Sequence, residues 1–352
     1  MRIAQVAPLA EAVPPKLYGG TERVVSWLTE ELVRQGHEVT LFASGDSQTS
    51  AKLVPGAECG LRLLGINDHT ASNLVMLDRL RRIADQFDII HCHIDLLHYP
   101  IFQDMPHKVV TTMHGRLDVP DFMPVYREYP HMPLISISNN QREPMPPGVN
   151  WLKTVYHGLP AENCPFHPIG GEYLAFLGRI SPEKRPDRAI QIAIRAGVPL
   201  KIAAKVDHAD REYFKEKIEP LLDNPLIEFI GEINEHQKKD FLGNALGLLF
   251  PIDWCEPFGL VMIEAMSAGT PVIAWRNGSV PEVIEDGVGG VIVDSLDQAV
   301  EAVGRIKAMD RSAVRAYFDG RFTATCMANA YLEAYGELLE AGRPKLRLVA
   351  AE

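Results

Sequence analysis

Short apolar runs alternate along the chain with amphipathic stretches of helical spacing, and glycine or proline turns separate them. The run Arg2–Ala7 is followed by Thr21–Gln35, in which apolar residues recur three and four positions apart until Gly36. Continuous apolar runs are typical of parallel strands that are buried on both faces, and the helices between them form the crossovers. The alternation therefore predicts an α/β protein built on parallel sheets with right-handed connections.

The alternation stops once and then starts again. Residues 157–171 (HGLPAENCPFHPIGG) are rich in proline and glycine, and a new series begins at Tyr173. The 352 residues fit two domains at about 150 residues per domain. We predict two Rossmann-like domains, residues 1–160 and 171–320, that face a cleft, because parallel sheets bind ligands beyond the carboxyl ends of their strands. A last helix is predicted within 321–343, and the pattern leaves open whether it packs on the second domain or crosses back to the first.

Charge and cysteine content narrow the class of protein. The formal net charge is −11, from 35 Lys and Arg against 46 Asp and Glu, which argues against a general nucleic-acid binder. The five cysteines lie far apart without a C-x-x-C pair, as expected for reduced thiols. The amino-terminal segment is too short for a signal-peptide core, and no apolar run is long enough to span a membrane. We therefore expect a cytoplasmic protein.

Common catalytic and nucleotide-binding fingerprints do not occur in the sequence. There is no G-x-G-x-x-G, no G-x-x-x-x-G-K-[ST], no H-E-x-x-H and no G-x-S-x-G. Dehydrogenases, P-loop nucleotidases, zinc peptidases and hydrolases of the nucleophile-elbow type are therefore disfavoured.

The first of four informative strand-to-helix junctions is LYGGTERVV. Gly19 and Gly20 would let the backbone approach a ligand closely, and Thr21 has the chemistry of a helix N-cap. Such a helix would direct its free amides and positive dipole end at a bound anion. An ordinary glycine turn is the alternative.

The second junction, FLGRISPEKRPD, concentrates cations beyond a strand. Ser181 and Pro182 have the pattern of an N-cap followed by the first helical residue. Arg179 and Lys184 would then lie beside a helix N-terminus, where a cation is unfavourable unless an anion such as a diphosphate offsets it. The alternative is a solvated basic turn paired with Glu183 and Asp187.

The third junction, WCEPFGLVMIEAMSAGTPVIA, is the most informative. Glu256 precedes a predicted helix and Glu264 lies inside it on a largely apolar stretch. A carboxylate in such surroundings needs a hydrogen-bonding partner, which a ribose diol could provide; an internal salt bridge is the alternative. The residues that open the predicted helix and offer its free amides are Phe258, Gly259, Leu260 and Val261.

The fourth junction, TTMHGR, places His114 at the end of a predicted strand, where a structural and a functional role are equally plausible. Nearby, the segment HCHID looks at first like a metal cluster. Only His91 and His93 share a strand face, however, and two imidazoles without a third ligand make a poor zinc site. His93 and Asp95 are better interpreted as residues of the substrate cleft.

Together these segments resemble the family 4 retaining glycosyltransferases of the GT-B fold, and the resemblance covers nearly the whole chain. It rests on the early Gly-Gly loop, on Gly178 and Arg179 with Lys184 five residues later, and on the E-x7-E pair Glu256 and Glu264. The context EPFGLVMIEAMSAGTPV is the specific part. Pro257, and His157 where Asn is common before Gly158, depart from the family pattern.

The resemblance implies a nucleotide diphosphate sugar as donor, bound mainly by the second domain, and an acceptor bound by the first. Arg179 and Lys184 would neutralise the diphosphate, Glu264 would bind the ribose, and Glu256 would hold the sugar. The other residues implied in donor binding are Gly19 and Gly20 at the phosphates, Gly231 and Ile233 at the base, the backbone of Phe258, Gly259, Leu260 and Val261 at the sugar, and His114 near the reacting carbon. His93 and Asp95 would contact the acceptor.

The resemblance further implies transfer with retention, without a metal ion or cofactor, by front-face attack in which the leaving phosphate takes the acceptor's proton. UDP-glucose is the default donor and GDP-mannose the alternative. The residues up to Pro165 carry 14 Lys and Arg against 18 Asp and Glu, a net charge of −4, which favours a soluble acceptor over a membrane lipid; Arg79, Arg81 and Arg82 keep a lipid possible.

Two other functions are compatible with the same fold. A nucleotide-sugar epimerase would also use two Rossmann-like domains, and a sensor would bind nucleotide sugars without chemistry. The E-x7-E pair with the upstream cations favours the transferase over both.

Overall fold

The computed structural model describes residues 1–16, 19–163 and 165–342. Their contacts divide the chain into two compact units. Unit 1 contains residues 1–136 and 144–155 together with the described residues from 328 onward, and unit 2 contains residues 137–143 and 156–327. The sequence places the boundary between residues 160 and 171; in the structure the chain leaves unit 1 first after Ser136 and again after Val155.

The described part of unit 1 is built on a seven-stranded sheet in which every neighbouring pair is parallel. Its strands are β1 (Arg2–Val6), β2 (Glu38–Ser44), β3 (Lys52–Ala57), β4 (Ile89–Cys92), β5 (Val109–Thr112), β6 (Leu134–Ser136) and β7 (Trp151–Thr154), in the spatial order β3-β2-β1-β4-β5-β6-β7. Its helices before residue 155 are α1 (Gly20–Arg34), α2 (Thr70–Arg82), α3 (Tyr99–Phe102) and α4 (Met123–Glu128).

Within its described residues, unit 2 has a six-stranded parallel sheet. Its strands are β8 (Leu174–Arg179), β9 (Leu200–Lys205), β10 (Ile227–Gly231), β11 (Gly247–Phe250), β12 (Val272–Trp275) and β13 (Gly290–Val293), in the order β10-β9-β8-β11-β12-β13. Its helices are α5 (Pro186–Ala196), α6 (Arg211–Tyr213), α7 (Glu235–Gly243), α8 (Leu260–Ser267), α9 (Val280–Val283), α10 (Leu296–Lys307) and α11 (Arg311–Arg321).

The last helix, α12 (Ala324–Ala341), begins in unit 2 and continues in unit 1 from Ala328. Its tyrosines Tyr331 and Tyr335 are fully buried and hydrogen-bond to residues of β1, β4 and β5. The sequence pattern leaves open whether the last helix packs on the second domain or crosses back to the first. From Ala328 onward the helix packs on the sheet of unit 1. Residue 343, the end of the predicted helical segment, lies outside the described residues.

Each unit has its own apolar core, formed where helices cover the sheet. In unit 1 the apolar stripe of α1 (Val24, Val25, Leu28 and Leu32) is buried, as its helical spacing predicts. The strands β4, β5, β11 and β12 are buried along their whole length, as expected for central parallel strands. The sheets therefore have the Rossmann-like form that the alternation predicts.

Strand order reverses once in each sheet, between β1 and β4 in unit 1 and between β8 and β11 in unit 2. At such a switch point the two outgoing connections leave toward opposite faces, so a crevice opens beyond the carboxyl ends of the two strands. The junctions after β8 and β11 are those that contain the pairs Arg179 and Lys184, and Glu256 and Glu264.

Three elements differ from the sequence-based prediction. The edge strand β3 is not among the predicted strands; its segment contains Pro55, which is tolerated here because only one neighbour, β2, pairs with it. Between β9 and β10 the alternation of strands and helices predicts one helix over residues 211–222; the structure has instead a short α-helix, a π-helical turn at Phe214–Ile218 and a 3₁₀ turn at Glu219–Leu221, with Pro220 in the last. Helix α11 follows Asp310, whose side chain caps it at the amide of Ser312, and was also not predicted.

Candidate functional site

Arg179 is the last residue of β8, and Lys184 lies in the non-helical loop that follows. Residues 181–184 form turns, and α5 begins only at Pro186, after Arg185 in the left-handed region (φ 54). The predicted N-cap at Ser181 and first helical residue at Pro182 are therefore wrong. Both Pro182 and Pro186 suit the first turn of a helix, and the structure uses the second. Lys184 therefore lies in the loop before α5 and not in the first turn of that helix. Its positive charge is thus not part of the positive end of the α5 dipole.

Arg179 is surrounded by carboxylates of its own unit. It donates a hydrogen bond to Glu183, and its guanidinium lies 3.6 Å from Asp210 and 3.9 Å from Asp207. Its side chain is 39% exposed, so solvent screens these pairs and a ligand could replace them. The guanidinium is thus positively charged, accessible and held at the end of β8.

Lys184 contacts Glu256, the first member of the E-x7-E pair. Its ammonium donates to Oε2 of Glu256, and the indole Nε1 of Trp254 donates to the same oxygen over 3.0 Å. The ammonium also lies 5.1 Å from the ring centroid of Trp254 and 5.8 Å from that of Phe250, within range of a cation–π attraction. The ends of β8 and β11 therefore bring together a cation and a carboxylate that are 72 residues apart in sequence.

The loop that carries Glu256 is fixed by its backbone. The amide of Ser279 donates to the Glu256 carbonyl over 2.9 Å, and the amide of Asp253 donates to the Glu183 carbonyl over 2.8 Å. Gly278 has φ 57, and a Cβ there would lie 2.3 Å from the Glu256 nitrogen. Only glycine fits at this position. The geometry of Glu256 therefore depends on a close backbone approach that its own motif does not reveal.

Helix α8 begins at Leu260, with Gly259 (φ 80) preceding it, so the predicted start at Phe258 is two residues too early. Phe258 is buried instead against the rings of Tyr156, His157 and Phe322, and its carbonyl accepts from the Ser279 hydroxyl. The amides of Leu260 and Val261 remain in the first turn, at the positive end of the helix dipole. The part of this junction suited to binding hydroxyls or anions is therefore Gly259–Val261.

Glu264, inside α8, forms an ion pair with a residue that the sequence analysis did not single out. Nζ of Lys238 on α7 lies 2.5 Å from Oε1 of Glu264 and 2.8 Å from Oε1 of Glu235. Burial alone would lower the pKa of Lys238, but the two carboxylates outweigh it and raise the pKa above its usual value. The structure thus contains the internal salt bridge that the sequence leaves as an alternative. With the pair 26 residues apart, no local pattern could have indicated it.

Gly231 and Ile233, predicted at the nucleotide base, lie at the end of the edge strand β10. Gly231 has φ 76, and a Cβ added there would have no heavy atom within 4 Å. Ile233 is half-buried and directly precedes Asn234, which forms a capping box with Gln237 at the start of α7. This strand end is open, and the chain continues from it into α7, the helix that carries Lys238.

In unit 1 the predicted residue His114 follows β5 and contacts His93, which follows β4. His114 Nε2 and His93 Nδ1 are 2.8 Å apart, and His93 Nε2 lies 2.7 Å from Oε1 of Gln5 on β1. His93 is only 2% exposed and both its ring nitrogens are engaged. In the structure His93 is a buried partner of His114, and its contact with an acceptor stays a prediction.

The hydrogen bonds continue from Gln5 into the sheet. Gln5 Nε2 lies 3.3 Å from the hydroxyl of Tyr335, which lies 2.7 Å from Nδ1 of His91, and His91 Nε2 lies 2.7 Å from Oγ1 of Thr112. Burial lowers the pKa of His91 well below the usual value and that of His114 to about 3. These imidazoles are therefore neutral at physiological pH. Nothing in the sequence alone pairs Gln5 or Tyr335 with the histidines.

The remaining predicted residues of unit 1 have different surroundings. Asp95 is exposed beyond β4 with φ 51, an uncommon conformation for a residue other than glycine. Helix α1 starts at Gly20 with Gly19 before it, so Thr21 is inside the first turn and is not the N-cap. A Cβ added at Gly19 would lie 2.8 Å from Cβ of Pro15. The lack of a side chain at Gly19 therefore allows its backbone to pack closely against Pro15 of the same chain.

No group of three or more His, Cys, Asp or Glu side chains in residues 1–16, 19–163 and 165–342 could hold a metal ion. Over the same residues, no helix is both long and apolar enough to cross a membrane.

Two family models match the chain. Residues 166–318 match glycosyl transferases group 1, and residues 18–145 match glycosyltransferase family 4. Among curated proteins, the glycogen synthase of Mycobacterium tuberculosis is 26% identical over 391 residues, covering 91% of this chain and 92% of that protein.

Solved structures of similar architecture cover the whole chain. AviGT4, a glycosyltransferase involved in avilamycin A biosynthesis, has a TM-score of 0.76 and 25% identity, covering 97% of this chain and 99% of that one. The Anabaena protein HepE, solved in complex with UDP and glucose, has a TM-score of 0.68 and 18% identity, covering 96% and 100%. The chain therefore belongs to the family 4 glycosyltransferases and has the GT-B fold, which confirms the resemblance drawn from its sequence.

Proposed function

We propose that this glycosyltransferase moves a hexosyl group, with retention of configuration, from a nucleotide diphosphate sugar to a hydroxyl acceptor. The observation that carries the proposal is the ion pair of Lys184 with Glu256, together with the cation Arg179 at the end of β8, beyond the two strands that flank the switch point of unit 2. Two accessible cations suit a diphosphate, and a carboxylate beside them suits the hydroxyls of the attached sugar.

Charge neutralisation is the central role that we assign to the cations. As the bond between the anomeric carbon and the diphosphate oxygen lengthens, negative charge grows on the leaving group. Arg179 and Lys184 would stabilise that charge, and such preorganised electrostatic stabilisation is usually the largest single contribution to catalysis. Glu183 and Glu256 pair with these cations in the structure, so the diphosphate would bind by exchanging partners with them.

Recognition of the rest of the donor follows from the neighbouring groups. We assign Glu264, held by Lys238, to the ribose hydroxyls, and Glu256 with the first-turn amides of α8 to the sugar hydroxyls. The open end of β10 at Gly231 and Ile233 is assigned to the base. From unit 1, the backbone at Gly19 and Gly20 is assigned to the phosphates.

UDP-glucose is the donor that we propose first, with GDP-mannose as the alternative. HepE, whose fold is similar, is known in complex with UDP and glucose. The site residues described above do not include a side chain that selects one base over another, so the choice rests on that likeness alone.

The reaction that we propose requires no enzyme nucleophile. The acceptor hydroxyl attacks the anomeric carbon from the face that the phosphate leaves, its proton passes to the departing phosphate oxygen, and the new glycosidic bond keeps the donor configuration. His114 is assigned to a hydroxyl of the donor sugar near the reacting carbon, and Asp95 to the acceptor. We propose that no metal ion takes part, because Arg179 and Lys184 supply the positive charge.

A thermal-shift screen followed by product analysis tests the proposal. We expect UDP and UDP-glucose to raise the unfolding midpoint more than GDP, ADP or their sugars, because a ligand that binds only the folded state stabilises it by mass action. Turnover of UDP-glucose should persist in a chelator, and the anomeric coupling constant in the product's NMR spectrum should match that of the donor. Stabilisation by no nucleotide, or a product of inverted configuration, would overturn the proposal; epimerised donor without transfer would favour an epimerase.

A further inference from the structure

We infer that Gln5 and His93 are positioning residues that hold His114 in the tautomer protonated at Nε2, so that Nδ1 of His114 presents a lone pair. The inference rests on the direction of a continuous chain of hydrogen bonds in unit 1, from His114 through His93, Gln5, Tyr335 and His91 to Thr112.

The amide of Gln5 sets the direction of the chain toward His114. Its oxygen can only accept, so His93 must donate from Nε2 across the 2.7 Å contact. A neutral imidazole has one proton, and Nδ1 of His93 is therefore an acceptor. The partner at 2.8 Å, Nε2 of His114, must then be the donor. With its single proton on Nε2, His114 has an unprotonated Nδ1.

The other half of the chain independently indicates the same direction. Thr112 donates its hydroxyl proton to the Tyr331 hydroxyl over 3.0 Å, so toward His91 it accepts, and His91 is protonated at Nε2. Nδ1 of His91 then accepts from the Tyr335 hydroxyl at 2.7 Å. Tyr335 in turn accepts from the amide nitrogen of Gln5, which is the orientation that leaves the Gln5 oxygen facing His93. Every bond thus runs the same way.

Burial makes this arrangement hard to reverse locally. Gln5, His91, Thr112, Tyr331 and Tyr335 are fully buried, and His93 is nearly so. If one side chain alone reversed its hydrogen bonds, two donors or two acceptors would face each other. The buried polar group left unsatisfied would cost about 1–3 kcal/mol. Reversal requires the Gln5 amide and all three histidines to change together. The tautomer of His114 is therefore set by residues on β1 and β4.

The consequence for chemistry rests on the proposed function. An Nδ1 lone pair can accept a hydrogen bond from a hydroxyl, whereas the opposite tautomer would donate one and suit a carbonyl or phosphate oxygen. His114 so oriented is matched to a sugar hydroxyl, which would have to reach an Nδ1 atom that is buried in the structure. Gln5 and His93 do not contact substrate in this scheme; they act through His114.

Histidine NMR of the ligand-free protein tests the tautomers without any assay of activity. Long-range ¹H–¹⁵N correlation spectra at neutral pH distinguish protonated from unprotonated ring nitrogens, and His114→Asn and His93→Asn assign the signals. We expect His91, His93 and His114 to be neutral and protonated at Nε2. A proton on Nδ1 of His114 would overturn the inference.

The variant Gln5→Met tests the positioning role, with Thr111→Val as its control. Thr111 bonds to another buried histidine, His98, over 2.7 Å, so the control loses a comparable bond outside the chain. We expect Gln5→Met to shift the His114 signals toward a tautomer mixture and to lower kcat for UDP-glucose about tenfold at unchanged KM, and Thr111→Val to do neither.

Unchanged His114 signals in Gln5→Met would contradict the inference. If that variant does not fold, the wild-type spectrum still decides the tautomer. Tautomers as inferred, in a protein that transfers no sugar, would uphold the positioning of His114 while the proposed function fails.

Discussion

The strand ends of unit 2 and those of unit 1 use polar side chains in opposite ways. Beyond β8 and β11, charged groups are paired and partly exposed: the side chain of Arg179 is 39% exposed and that of Lys184 is 23% exposed. Beyond β4 and β5, neutral imidazoles lie in a buried chain that ends on α12. Both groups stand next to the switch point of their own sheet.

The difference shows which groups can change partners. A half-exposed ion pair contributes little to stability, so breaking it for a ligand costs little. A buried neutral hydrogen bond has no water to replace a lost partner, so breaking it costs stability. We therefore expect substitutions in unit 2 to affect ligands more than folding, and substitutions in unit 1 to affect folding as well as activity.

The largest expected effect is on turnover in Arg179→Ala and Lys184→Ala. Each variant removes a charge that we assign to the leaving diphosphate, and turnover should fall by about 10²–10³-fold or more. The unfolding midpoint should change little in Arg179→Ala, whose pairs are screened by solvent, and should fall more in Lys184→Ala, which leaves the Glu256 carboxylate, only 13% exposed, without its cation. The matched control Arg195→Ala removes an exposed pair with Asp297 and should leave both unchanged. Near-normal turnover in either site variant would contradict the diphosphate assignment.

Acid should destabilise the protein through its buried histidines. Burial lowers the pKa of His98 and of His114 to about 3, whereas an unfolded histidine titrates near 6.5. Between these values the unfolded chain binds protons that the folded chain excludes, so stability is complete above about pH 6.5 and falls below it by about 1.4 kcal/mol per pH unit for each such histidine.

Urea midpoints at neutral pH and at about one unit below the unfolded histidine pKa would measure this loss. His98→Asn should show a smaller change between the two conditions, and the control His236→Gln, at an exposed position, should behave like wild type. Equal midpoints at both pH values in the wild type would show that these histidines are not kept neutral by folding.

Tyr335→Phe should lower the free energy of unfolding by about 1–3 kcal/mol. The hydroxyl that joins Gln5 and His91 would be lost, leaving both without this partner in a fully buried position. Tyr129→Phe, at a half-buried tyrosine of the same unit, is the control and should cost less. A cost for Tyr335→Phe no greater than that of the control would mean that this chain adds nothing to stability.

The smallest effect is expected for Lys238→Met, about a tenfold loss of nucleotide affinity by calorimetry. Lys238 holds the Glu264 carboxylate that we assign to the ribose, and one charge-assisted hydrogen bond is worth about 1.5–3 kcal/mol at most. Lys239→Met changes the adjacent lysine and should leave the affinity unchanged. Equal affinities in the two variants would separate Lys238 from nucleotide binding.

Much of the fold could be predicted because central parallel strands appear in the sequence as short, continuous apolar runs. The apolar runs at β4, β5 and β11 and the stripe of α1 were recognised to within a few residues. The predicted helix starts are less accurate where two residues both suit the first turn of a helix, as Pro182 and Pro186 do. Strand β3 is not among the predicted strands; its Pro55 normally argues against a strand, and only its edge position makes that proline acceptable.

The site was predictable only where one motif contains it. Glu256 and Glu264 share a segment, and the cations stand a few residues after a glycine at a strand end. Gly278 beside Glu256, Lys238 beside Glu264, and Tyr335 beside His91 are joined only by the folded chain. Such pairings depend on which strands and helices become neighbours, and a single sequence carries no local record of that.

The position of α12 has a consequence for the order in which the protein can be completed. Residues 1–155 include all seven strands described in unit 1, yet the hydroxyls that complete the Gln5–His91–Thr112 region come from Tyr331 and Tyr335. On the ribosome, all of unit 2 must emerge before the first sheet can bury these polar groups. A chain that ended before Tyr331 would leave these polar groups exposed to water. Unit 1 therefore begins to be synthesised first, but its core can be completed only after unit 2 has been synthesised.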